Sequence, residues 1–217
     1  MKPLSNLSIM MSVYPYNSHN LVHILYGFDF GFFRPNIIAL TGPKSSHNTR
    51  ECITKHLVKQ YSYTRLDFND PVKIILKELF NYTDQQMNSE KLDWKHNITP
   101  KQAFDFISSN VMQYKIQELI PECDRRFLAQ HLITRMQSMQ TLAAMKRFVI
   151  SDLQYYHEYQ EIARYDPFII RVEGTDKNSK VDEYNMIPYN IKLLDSGNAD
   201  ERKIVRKLNH EFQKMNE

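Results

Sequence analysis

The chain has 217 residues, enough for one hydrophobic core with an appended arm and short for two full domains. Hydrophobic residues make up 42% and charged residues 24%, so burial can offset chain entropy and global disorder is excluded. The 28 basic side chains nearly balance the 25 acidic ones, and a net charge of +3 does not mark a nucleic-acid binder. Cys52 and Cys123 are isolated and make neither a disulfide framework nor a zinc site, so a reducing, cytoplasmic compartment is expected. Residues 1–13 do not read as a signal peptide, and no stretch approaches about 18 uncharged apolar residues, so no membrane association is expected.

Residues 1–35 read as an aromatic-rich N-terminal extension ahead of an α/β domain over 36–217. Asn36 to Leu40 forms a short buried strand, Thr41 to Ser46 a turn, and His47 to Gln60 a helix. Ser62 to Phe68 reads as a second strand, and Asp70-Pro71 opens a helix to Phe80. A helical insertion then spans about 83–140. Its middle helix starts at Pro100 with Phe104, Ile107 and Val111 at core spacing; its last carries Phe127, Leu128, Leu132, Ile133 and Met136 on one face. Phe148 to Ile150 and Pro167 to Val172 are strands separated by a helix from His157 to Arg164. Residues 176–184 read as a loop or lid, Ile187 to Leu193 as a last strand, and Glu201 to Glu217 as a basic amphipathic helix. Apolar strands alternating with helices predict a parallel sheet covered by helices. Glycine is scarce, with five in the chain, so Gly42 and Gly197 are expected at backbone positions that need them.

In a parallel α/β sheet, ligands lie beyond the carboxyl ends of the strands. Gly42-Pro43-Lys44-Ser45-Ser46-His47-Asn48-Thr49 follows a strand, opens a helix, and keeps the glycine and threonine of the phosphate-loop pattern G-x-x-x-x-G-K-[ST]. His47 replaces the second glycine and Asn48 the lysine, which removes a full charge from the place where phosphate oxygens would sit. Read without function, the same residues are a tight turn with Ser45 or Ser46 capping the helix. Phe148 to Asp152 delivers a carboxylate to the sheet edge, where it could partner magnesium together with Thr49. Arg65, Asp67, Asp70 and Lys73 cluster after the second strand, where a cation could hold a phosphate and the acids could equally be caps.

The order of these segments resembles the deoxynucleoside monophosphate kinases of bacteriophages and their relatives among the P-loop nucleotide kinases. The matching stretches are Ile37 to Gly42, Leu66 to Lys73, Asp84 to Asn88, Ile98 to Phe104, Val149 to Tyr155 with His157-Glu158, Ile169 to Val172, and Tyr189 to Ile191 before Asp195-Ser196-Gly197. Together they cover residues 36 to about 208. The resemblance implies a P-loop kinase fold and transfer of phosphate from ATP, with magnesium, to a deoxynucleoside monophosphate. It implies catalytic roles for Asp70 and Asp152, substrate contacts at Asp70, Lys73, Gln154 and Glu158, and metal contacts at Thr49 and Asp152. Nucleotide phosphates would meet Gly42, Lys44, Ser45, Ser46, His47, Asn48 and Thr49. This chain departs from that pattern in the loop, at Ser108 to Gln113, where the family-like segment is G-T-D-x-x-R, and at Gln154, where relatives carry arginine.

Neutral amides in place of cations keep shape and abandon phosphate charge. The expectation is a kinase frame emptied of its chemistry, with no cofactor and weak or absent nucleotide binding. Tyr14, Tyr16, Tyr26, Phe28, Phe30, Phe32 and Phe33 would supply anchors for a protein partner through residues 13–33. The alternative is an active deoxynucleoside monophosphate kinase using magnesium–ATP, with Lys44 or Arg50 standing in for the missing lysine. Arg202, Lys203, Arg206 and Lys207 on the last helix read as a solvated face more than as a nucleic-acid contact.

Overall fold

The computed structural model of the protein describes residues 35–87, 89–142, 146–174, 183–195 and 201–215. The aromatic segment 13–33, Gly197 and the loop 176–182 lie outside the described residues. Five strands form one sheet: β1 (Ile37–Thr41), β2 (Thr64–Leu66), β3 (Phe148–Leu153), β4 (Phe168–Glu173) and β5 (Ile191–Leu194). All pairings are parallel, in the order β2-β3-β1-β4-β5. The architecture is therefore the α/β class expected, a parallel sheet flanked by helices.

Alternation along the strands assigns each face its cover. Ile38, Leu40, Val149, Ile170 and Val172 point to one side, against Ile53 and Leu57 of α1 (His47–Tyr61) and Leu208 and Phe212 of α8 (Glu201–Lys214). Ile37, Ala39, Phe148, Ile150 and Ile169 point to the other, against Leu132, Ile133 and Met136 of α6 (Phe127–Leu142) and Ile162 of α7 (Tyr156–Ala163). α2 (Asp70–Phe80) leaves the sheet and builds a third cluster, in which Val72 and Leu76 meet Met87, Ala103, Met112 and Leu128. Between α2 and β3 the described elements are helical, apart from one antiparallel bridge between Asp93 and Ile98: α3 (Asp84–Met87), α4 (Pro100–Asp105), a π-helix over Phe106–Lys115, α5 (Ile116–Leu119), a 3-10 turn at Pro121–Arg126, and α6. Among the described residues no helix is long and apolar enough to cross a membrane.

Three elements differ from the sequence reading. The second strand is only Thr64–Leu66, because Ser62 takes a left-handed conformation (φ 57°) that ends α1 and uses up the residues before it. The last strand begins at Ile191, since Ile187 instead closes a turn by donating its N–H to Tyr184 O. The Pro100 segment widens into a π-helix after Asp105, and the extra residue per turn rotates the buried positions. Ala103, Ser108, Met112 and Gln113 are buried, while Phe104, Ile107 and Val111 are only half-buried.

Gly42 is where β1 can turn toward the helix. Its φ is +149°, and a Cβ there would lie 2.1 Å from Val172 O of β4 and 2.8 Å from Ser46 Oγ. Gly42→Ala is expected to lower the urea midpoint sharply: backbone strain costs about 1–3 kcal/mol, and the clash with an adjacent strand adds to it. An unchanged midpoint would show that the loop can move off β4.

Candidate functional site at the strand ends

The parallel sheet brings the carboxyl ends of β2, β3 and β1 side by side, and the candidate residues line them. After β1 the loop curls back on itself. The Ser46 hydroxyl donates to Pro43 O at 2.8 Å and the Ser46 amide to the same oxygen at 3.0 Å. Ser46 precedes α1 but makes no side-chain cap, which corrects the capping expected of the serines. Lys44, Ser45, His47 and Asn48 face solvent. Partial desolvation, with Arg50 and Arg65 nearby, lowers the His47 pKa, so this ring is neutral at pH 7.

Thr49 and Arg50 are buried beneath the loop. The Thr49 hydroxyl donates to Asp195 Oδ2 at 2.7 Å, which ties the loop to the end of β5. The Arg50 guanidinium reaches Pro43 O and Ser151 O, both at 3.4 Å, and its Nε has no hydrogen-bond partner among the described residues. Burial lowers its pKa, opposed by the charges of Asp152, Glu51 and Asp67, but an arginine remains charged.

An ion-pair network occupies the ends of β2 and β3. Arg65 pairs with Glu51 at 2.5 Å and Asp67 at 2.8 Å; Lys73 lies 2.9 Å from Asp67 and 3.6 Å from Asp70; Arg135 of α6 lies 2.7 Å from Asp70. The Ser151 hydroxyl donates to Asp67 at 2.6 Å. Burial alone would raise the Asp67 pKa, but Lys73 and Arg65 outweigh it and hold the carboxyl down at about 2.

Two further carboxyls, the buried Glu158 and the half-buried Asp152, act on the backbone. Asp152 accepts from Phe68 N (2.9 Å), Asn69 N (3.2 Å) and Asn69 Nδ2 (3.1 Å), which fastens the turn before α2 to β3. Glu158 accepts from Gln154 N (3.0 Å) and Tyr155 N (3.1 Å), fastening the turn after β3. Burial, then the Asp67 charge, pushes Asp152 up to about 6. Burial, then Asp152, pushes Glu158 up to about 8, so at pH 7 it is a neutral acid.

The structure thus places Asp70, Lys73, Asp152, Gln154 and Glu158 at or after the carboxyl ends of β2 and β3, on the edge of the sheet where the loop of Gly42 to Thr49 follows β1. It does not join Thr49 to Asp152: each has its own hydrogen-bond partners. Sequence reading misses Arg135 because it is one of many polar residues of α6, outside every matched stretch, and nothing in sequence brings it within reach of Asp70. Asp195 was legible only as part of a matching stretch, without a role. Two shallow cavities, of about 370 and 550 Å³, lie elsewhere, on the helical segment around Phe80 and Ile98. None of their lining residues belongs to the cleft, so the site rests on the converging strand ends and not on cavity size.

No protein-family model matches the chain. A protein of Acanthamoeba polyphaga mimivirus named "Putative deoxynucleotide monophosphate kinase" is 20% identical to it over 177 residues, covering 76% of this chain and 91% of the viral protein. This similarity and the five-stranded parallel sheet support a kinase-like relationship.

The buried acids set a pH dependence. Glu158, raised from 4.5 to about 8, binds its proton more tightly in the folded state, so its contribution is complete below pH 4.5 and lost as pH rises through 8. Asp152, raised from 3.8 to about 6, acts in the same direction and finishes earlier. Asp67 has the opposite sign, and its contribution is lost as pH falls from 3.8 to about 2. The unfolding free energy, read from urea titrations, is expected to fall between pH 5 and 8.5, by on the order of 1 kcal/mol per pH unit for each of the two groups that is protonated only in the folded state. Glu158→Gln, which keeps the accepting oxygen and cannot ionise, flattens the upper part of that slope. An identical slope in the variant would remove Glu158 as its cause.

Proposed function

We propose that the protein is a nucleotide-kinase-like protein impaired in phosphoryl transfer, retained as a binding or structural component. The observation that carries this reading is the state of the loop after β1, whose groups are committed to one another. Ser46 closes on Pro43, Arg50 donates to the same carbonyl, and Thr49 is held by Asp195. A magnesium-bound triphosphate would need the Thr49 hydroxyl, a carboxylate oriented to the metal, and a cation within the loop. In their present pairing these residues do not fit it: Asp152 serves backbone amides, and the position of the loop lysine is the exposed Asn48. Losing one preorganised donor of this kind typically costs about a hundredfold to a thousandfold in rate.

The same proposal divides the chain into an extension, 1–35, that engages a protein partner through residues 13–33, and a kinase-like domain, 36–217, with a helical insertion at about 83–140. One observation favours the second reading, an active deoxynucleoside monophosphate kinase. Arg50 is a buried cation beside the loop with only neutral direct partners, and an entering phosphate would give it the counter-charge it lacks.

Turnover of the four deoxynucleoside monophosphates with magnesium–ATP separates the two. No turnover above background is expected. Kinase-like turnover, about 1–100 s⁻¹, that Thr49→Ala or Arg50→Ala abolishes would overturn the proposal. The double change His47→Gly with Asn48→Lys is expected to create a thermal shift with magnesium–ATP that the natural chain lacks.

A further inference from the structure

We propose that the helical segment over 79–107 carries a face that pairs with the same face of a second copy of the chain, related by a two-fold axis. The two cavities on that segment are parts of one surface, because Phe80 lines both. Around them Trp94 is 88% exposed, Leu79 66%, Leu92 59% and Phe106 58%. An aromatic side chain carries about 150–250 Å², so Trp94 and Phe106 alone leave on the order of 300 Å² in water. A stable interface takes about 800 Å² from each partner, a little over half of it apolar. The two rings with the two leucines supply that apolar share.

Trp94 stands on a turn that is fixed before any partner arrives. The Asp93 carboxylate accepts from Lys95 N at 2.9 Å, His96 Nδ1 at 2.7 Å and the Tyr82 hydroxyl at 3.1 Å, while Asp93 N donates to Ile98 O at 2.8 Å. Placing the ring at an interface therefore costs little conformational entropy. The charges decide the partner. At the Trp94 end of the face the exposed Lys91 and Lys95 have no ion-pair partner among the described residues, and Asp93 is engaged within its own turn. At the other end, beside Leu79 and Phe106, the exposed Glu78 and Asp105 likewise have none. Of the lysines there, Lys101 pairs with Glu90 and Lys77 is half-buried. A two-fold axis near Phe80 lays the cationic end of each copy on the acidic end of the other. A partner of uniform charge would gain at one end and be repelled at the other.

Sedimentation equilibrium of the full chain across about 1–200 µM tests this, read together with the emission of Trp94, the sole tryptophan. A reversible dimer with Kd below about 100 µM is expected, with emission that moves from solvent-like to blue as the dimer forms. Trp94→Ala is expected to raise Kd about 10–30-fold, as loss of an interface anchor does. The residue is exposed on a turn, so its replacement leaves the fold intact, and Phe106→Ser acts in the same direction. Lys91→Glu with Lys95→Glu makes both ends acidic, and Glu78→Lys with Asp105→Lys makes both basic. Each doubly changed chain is expected to be monomeric alone, and the two to pair when mixed. That complementation requires one face to meet itself in antiparallel fashion, and no purely structural role of these residues would produce it. A chain that stays monomeric up to about 200 µM overturns the proposal. Solvent-like emission would then mean a face that meets a different protein, and blue emission a face covered within its own chain. A dimer that the Trp94 and Phe106 variants leave intact, or charge variants that stay apart when mixed, overturns it as well. Phosphoryl transfer is not read here, so the result stands apart from that of the kinase assay.

Discussion

The Asp152 carboxylate is the constraint on which the cleft depends. It is half-buried at the end of β3, and it accepts the amides of Phe68 and Asn69, which belong to the turn between β2 and α2. An ionisable group in such a place is costly to bury unless its oxygens are satisfied, and those amides would otherwise be orphaned donors at the start of a helix. One interaction thus settles both needs and fixes where α2 begins. Asp67, Asp70 and Lys73 follow from it, since all three lie within one turn of that junction. Glu158 repeats the device on the next turn, at Gln154 and Tyr155.

The two sides of the cleft are differently organised. On the β1 side the polar groups are turned inward: hydroxyls and a guanidinium satisfy the loop's own carbonyl and the Asp195 carboxylate. On the β2 side the cations are turned outward over their acids, and one of them, Arg135, keeps unused donors. A protein that bound a triphosphate strongly would need the reverse on the β1 side, with amides and a cation presented to the ligand. The two sides therefore differ in how their cations are held: partly exposed over acids after β2, and buried against carbonyls after β1.

Sequence alone located the frame because its signals are local. The apolar runs Ile37 to Leu40, Phe148 to Ile150 and Phe168 to Val172 can only be buried strands, and the residues after each fall at the sheet's carboxyl edge. His47 and Asn48 stand where the phosphate-loop pattern has glycine and lysine, which is likewise a local feature of the sequence. What stayed hidden depends on pairs far apart in the chain. Thr49 and Asp195 are 146 positions apart and Asp70 and Arg135 are 65 apart, and no periodicity encodes either contact. The register error after Asp105 has a different origin: the insertion of a π-helix leaves no mark in composition, yet it moves the buried face from Ile107 and Val111 to Ser108 and Met112.

The carboxylates under the cations also explain how such a cleft is stable without a ligand. Arg65, Lys73 and Arg135 would repel one another if unpaired, and Glu51, Asp67 and Asp70 supply three compensating charges in contact with them. For Arg135 the exchange of partners is nearly neutral on the protein's side, because a partly exposed ion pair contributes only about 0–1 kcal/mol. Arg50 cannot make that exchange so readily: it is buried, its direct partners are carbonyls, and reaching it requires opening the turn that Ser46 and Pro43 close. Arg135 is thus an outward cation on a partly exposed partner, and Arg50 an inward one behind a closed turn.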